Sequence, residues 1–120
     1  MVEFRYRDDE VTEQPSVTLD AFLDQSNATA VRLEPDDDAR KLIPFLDRLT
    51  LIEIAFPKFR DGRGYSSARI LREAGYKGEL RATGQVRADL VYHLARCGVD
   101  AFVLAEGENV AVALSELQRF

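Results

Sequence analysis

The chain is poor in the residues that carry metal and covalent chemistry. It has one cysteine (Cys97), one histidine (His93), one methionine and no tryptophan in 120 residues. A single cysteine excludes an intramolecular disulfide, and one Cys with one His excludes a Cys/His zinc site. No apolar run approaches the ~20 residues that a membrane-spanning helix needs. The opening Met1-Val-Glu-Phe-Arg5 lacks the basic-then-apolar order of a secretory signal. Surplus positive charge is missing too. A formal charge of −5 runs against general nucleic-acid binding, which needs a basic stripe. With no low-complexity tract and no long linker, the expectation is one cytoplasmic domain over residues 1–120, without a membrane or nucleic-acid partner.

What is present is a regular alternation of strand-like and helix-like segments. At 46% hydrophobic and 31% charged residues the composition is globular, and a chain of this size buries roughly two-thirds of its unfolded surface. Four strand–helix units fill residues 30–120. The strands read as Ala30–Glu34, Leu51–Phe56, Glu79–Thr83 and Ala101–Leu104. After the first, Asp36, Asp37 and Asp38 suit the positive end of a helix, along which Ala39, Leu42, Ile43, Leu46 and Leu49 recur at helical spacing. Pro44 inside that pattern predicts a kink or a tight first turn. The second helix runs from about Tyr65 to Ala74 and stops at Gly75. The third carries Leu90, Val91, Leu94 and Cys97 on a buried stripe and stops at Gly98. The last starts near Glu108 and buries Val110, Ala113, Leu114 and Leu117. Residues 1–29 are irregular. Val2 to Arg7 alternates like a strand, Asp8 to Ser16 reads as a loop, and Thr18 caps a short helix with Ala21, Phe22 and Leu23.

This order predicts an α/β fold with a parallel sheet. Sheets covered on both faces have strands apolar throughout. Here Arg32, Glu53 and Arg81 each sit mid-strand, opposite Leu33, Ile52, Ile54 and Leu80. One face is therefore helix-covered and the other polar, which predicts a half-barrel-like sheet with helices on one face. A flavodoxin-like open sheet is the alternative. Open edges invite either a homodimer or coverage by the N-terminal segment.

Ligands of parallel α/β proteins gather at the carboxyl ends of the strands. The longest and most basic of these ends is Phe56-Pro-Lys-Phe-Arg-Asp-Gly-Arg-Gly-Tyr-Ser-Ser67. Lys58, Arg60 and Arg63 surround two glycines just ahead of a helix start, where backbone N–H groups and partial positive charge meet. The pattern points to a small oxyanion (phosphate, sulfate or sulfite) or a carboxylate, held in two-point fashion by guanidinium. Tyr65, Ser66 and Ser67 complete the expected pocket, and Phe59 reads as packing. The plain alternative is a solvated loop whose arginines pair with Asp61 and Glu73. The spacing matches neither the phosphate loop of nucleotide hydrolases nor the dinucleotide glycine pattern.

A second group, Arg32, Glu34, Glu53, Arg81 and Thr83, forms the polar face. Alternating sign on neighbouring strands reads as mutual pairing. Functionally, Glu53 between two arginines would stay ionised and orient a substrate or act as a base, with Arg63 and Arg81 stabilising charge. His93 follows Asp89 by four residues, the spacing of a surface hydrogen bond. Cys97 reads as an inert buried thiol. No cofactor or metal is predicted, and no catalytic constellation stands out.

Several blocks in order carry a family resemblance: Leu33-Glu-Pro-Asp-Asp-Asp38, the loop from Phe56 to Ala68, Gly78-Glu-Leu-Arg-Ala82, Arg96-Cys-Gly-Val-Asp-Ala-Phe102 and Leu104-Ala-Glu-Gly107. From about Val31 onward the chain resembles an uncharacterised bacterial family of short proteins, domain of unknown function 934. The resemblance implies a gene neighbourhood with assimilatory sulfite reductase and hence an accessory role in sulfur assimilation. It would bind an oxyanion at the basic loop or dock on the reductase. Some members of the family carry an oxidoreductase label, which makes a small enzyme on a half-barrel the alternative.

Overall fold

Alternation along the strands sorts side chains onto two faces. The structure, a computed structural model describing residues 2–5, 16–24, 27–57 and 62–118, builds them into a six-stranded sheet. The strands are β1 (Val2–Arg5), β2 (Val17–Thr18), β3 (Ala30–Leu33), β4 (Leu51–Phe56), β5 (Glu79–Gly84) and β6 (Ala101–Leu104). The helices are α1 (Leu19–Asp24), α2 (Arg63–Glu73), α3 (Val91–Arg96) and α4 (Val110–Gln118), with 3₁₀ segments at Ala39–Arg48 and Ala88–Leu90.

The spatial order is β1-β6-β5-β4-β3-β2. Strands β2 to β6 are parallel, and β1 lies antiparallel on β6. The parallel strands thus follow one another in chain order, without the reversal that marks a flavodoxin-like sheet. The count of four units needs correction. Val17–Thr18 pairs with Val31–Arg32 and leads into α1, which adds a further strand–helix pair. A strand of two residues is too short to show alternation, and Thr18 reads as a cap. It is one as well: the Ala21 N–H donates to Thr18 Oγ1 at 3.2 Å. The N-terminal residues supply the strand at each edge of the sheet.

The register lines up two apolar rows, Val31–Ile52–Leu80 and Leu33–Ile54–Ala82–Phe102. These residues are at most 2% exposed, and burying each Leu, Ile or Phe contributes about 1.5–3 kcal/mol. The opposite face carries the row Arg32–Glu53–Arg81 but ends on Ala101. Ala101 and Val103 are buried, so the polar face turns apolar toward β6.

Some helical expectations shift. Ala39–Arg48 is 3₁₀ throughout rather than a kinked α-helix. Pro44 offers no N–H and its ring clashes with the carbonyl four residues back, which disfavours α geometry. Asp38 accepts from the Arg40 N–H at 3.0 Å and starts the segment. Leu114 is exposed rather than buried, and Val110 and Leu90 are half-buried. Cys97 is half-buried, because it follows the last helical residue of α3 and looks out between helices. The expected loop from Asp8 lies outside the described residues as far as residue 15.

Candidate functional site

The carboxyl ends of β3, β4 and β5 define the candidate site. Arg32, Glu34, Glu53, Arg81 and Thr83 all line one cleft of about 350 Å³. Side chains two apart on a strand share a face, and the strand register then sets Arg32 beside Glu53 and Glu53 beside Arg81. The structure thus brings these five side chains together along one cleft.

The pairing within the cleft runs mostly along strands rather than across them. Arg81 Nε and Nη2 donate to Glu79 Oε2 at 3.0 and 2.7 Å, and Arg81 Nη1 stands 4.0 Å from Glu53 Oε2. Arg32 Nε lies 3.1 Å from Glu34 Oε1. Ser16, just ahead of β2, donates its hydroxyl to Glu53 Oε1. Arg81 is only 5% exposed, so its carboxylates hold a charge that would be costly alone. Sequence reasoning missed Ser16 and Glu79. Glu79 carried a signal, being two residues from Arg81 on one strand.

The rim is built by Phe56, Pro57 and Gly84. Gly84 has φ +95°, and a Cβ there would stand 2.6 Å from the Phe56 carbonyl oxygen. That oxygen accepts the Gln85 N–H at 2.6 Å. Only glycine allows this close passage of two strand ends. Pro57 leads directly into the basic loop. Lys58, Phe59, Arg60 and Asp61 lie outside the described residues.

Arg63, the first residue of α2, is described and exposed. Its Nη1 stands 2.5 Å from Asp36 Oδ1, a pair with side chains 58% and 92% exposed. Exposed pairs are worth about 0–1 kcal/mol, so this partner is easily exchanged. Asp36, in the acidic loop after β3, is the partner of Arg63 among the described residues, and Asp61 lies outside them. Gly62 precedes the helix without a side-chain cap, and the first turn holds no acidic residue. Gly64 lets this helix start approach the sheet: a Cβ would meet Phe56 Cε1 at 2.4 Å.

The other loop candidates separate. Ser66 is exposed, but Ser67 is buried on the inner side of α2 with Ala68 and Leu71. Helical spacing turns Ser67 inward, away from an exposed ligand. Tyr65 packs edge-on against Phe56 at 5.5 Å and lines a different cavity, between α2 and α3. Burial raises its hydroxyl pKa, with Cys97 and Asp89 adding to the rise. Asp89 pairs with Arg87 at 3.1 Å instead of His93. The catalytic alternative asks for Glu53, Arg81 and Arg63 in one cavity. Glu53 and Arg81 line the cleft, and Arg63 is not among its described lining residues. Among the described residues no three His, Cys, Asp or Glu converge as a metal cluster, and no helix is long and apolar enough to cross a membrane.

These features define a sequentially wound α/β protein with a charged, carboxylate-lined cleft and an arginine-led helix start at the strand ends. The chain belongs to a bacterial protein family of unknown function (DUF934), whose model matches residues 30–120. No curated protein matches the chain.

Proposed function

We propose that this protein is an accessory protein of sulfur assimilation that binds a small oxyanion at the carboxyl ends of its strands. In this reading the sheet is half-barrel-like, wound in one direction with its polar side open, and the anion sits where α2 begins. The observation that carries it is that helix start. Gly62 contributes no capping oxygen, the first turn has no carboxylate, and Arg63 leads the helix. First-turn amides beside a guanidinium can cradle an anion. Lys58 and Arg60 belong to the same loop by sequence. Sulfite, sulfate and phosphate are the candidate ligands, and the sulfur context rests on the family resemblance.

Calorimetric titration with sulfite, sulfate and phosphate tests this. Saturable binding is expected. Arg63→Ala removes a charged hydrogen bond worth about 1.5–3 kcal/mol, or roughly tenfold to a hundredfold in affinity. Absence of heat with all three anions ends the oxyanion reading. Co-purification with sulfite reductase tests docking, the companion reading in which the polar face meets the enzyme.

A further inference from the structure

The cavity between α2 and α3 has no part in the reading above. It measures about 540 Å³ and is lined by Tyr65, Arg69, His93, Arg96 and Cys97. That size lies within the range of small-molecule sites, about 300–1,000 Å³, and exceeds what a bare inorganic ion needs. No carboxylate is among its described lining residues. A shallower hollow of about 320 Å³ shares Arg69, Arg96 and Cys97 and adds Arg72 and Glu73.

The two arginines here differ from most of the others, a trait shared with Arg48, which lies away from this groove over the Phe22 and Phe45 rings. Arg32, Arg40, Arg63, Arg72, Arg81 and Arg87 each stand within ion-pair distance of an Asp or Glu. Arg69 donates only to the Cys97 thiol, Nη2 to Sγ at 3.9 Å. Arg96 rests over the Tyr92 ring, 5.8 Å from its centroid. Neither has a carboxylate partner among the described residues. Two unneutralised guanidiniums thus share one hollow in a chain of net charge −5. Like charges held together repel, and an anion between them removes the repulsion while accepting planar two-point hydrogen bonds. The Tyr65 hydroxyl on α2 and the His93 ring on α3 offer further polar contacts.

We propose that this groove binds a small organic molecule bearing a phosphate, sulfate or sulfonate group, with the charged group clamped by Arg69 and Arg96 beside the Cys97 thiol. Cys97 is the only cysteine, so thiol labelling reads this groove alone. Iodoacetamide labelling is followed in the full chain with phenyl phosphate, inorganic sulfate or sodium chloride at matched ionic strength. Phenyl phosphate at about ten times its midpoint concentration should slow labelling roughly tenfold by occupancy. Sulfate should protect more weakly, and chloride not at all. The double variant Arg69→Ala/Arg96→Ala should lose the protection, and Arg63→Ala should keep it. Both groove arginines are exposed, so the double variant keeps the fold, which circular dichroism checks. Labelling that phenyl phosphate does not slow, or slows equally in the double variant, overturns the proposal. Retention in Arg63→Ala separates this result from the fate of the strand-end site.

Discussion

The sheet face and the α2–α3 groove both display arginines, but they use them differently. On the sheet face Arg81 is sunk among Glu79 and Glu53, and Arg32 leans on Glu34. In the groove Arg69 and Arg96 meet a thiol and an aromatic ring instead. A buried guanidinium needs its carboxylates to remain folded, whereas an exposed one in water needs no partner and stays available to a ligand. The position of a cation in the sequence therefore says less about binding than what stands opposite it in space.

The contrast can be broken by substitution. Arg81→Ala should have the largest effect, about 3–5 kcal/mol of stability in urea unfolding, because it takes the guanidinium away from two half-buried carboxylates. Arg72→Ala comes next. Arg72 lines the hollow next to the groove and ties the end of α2 to the chain around it. It donates to the carbonyls of Gly98, Tyr76 and Gly78 at 2.9, 2.9 and 2.8 Å and sits 3.5 Å from Asp100. Losing these charge-assisted bonds should cost about 2–3 kcal/mol.

Tyr76, packed under Arg72, gives a smaller and pH-dependent effect. Burial raises its hydroxyl pKa well above the ordinary 10.0, with Arg72 opposing the rise. The sign follows from the protonated form being favoured in the folded state. Its stabilising contribution is full below about 10, the unfolded value, and is lost as the pH climbs toward the folded one. Unfolding followed from pH 8 upward should show alkaline destabilisation that Tyr76→Phe lessens. Smallest of all, Arg69→Ala and Arg96→Ala should each lie within about 0.5 kcal/mol of the parent. A loss at either that rivalled Arg81→Ala would erase the distinction between the two regions.

Much of the scaffold was legible because the apolar rows repeat with the period of strands and helices. Leu51–Phe56 and Ala101–Leu104 appear with the bounds read from the sequence. The polar face was legible for the same reason, since Arg32, Glu53 and Arg81 interrupt apolar runs at mid-strand. What escaped depended on tertiary context. Val17–Thr18 becomes a strand only because β3 offers an edge. Ser67 and Tyr65, neighbours in one loop motif, part company because α2 turns one inward and the other toward α3. The groove was hidden because Arg69 and Arg96 are 27 positions apart in the chain. A signal existed: in a sequentially wound sheet, consecutive helices pack side by side.

The most direct test of the strand-end reading is amide chemical-shift mapping of isotope-labelled protein during a sulfite titration. The account predicts saturable shifts centred on the backbone amides of Arg63, Gly64 and Tyr65, preserved in Arg69→Ala and lost in Arg63→Ala. Amides at the start of α2 that stay in place at saturating sulfite would contradict it.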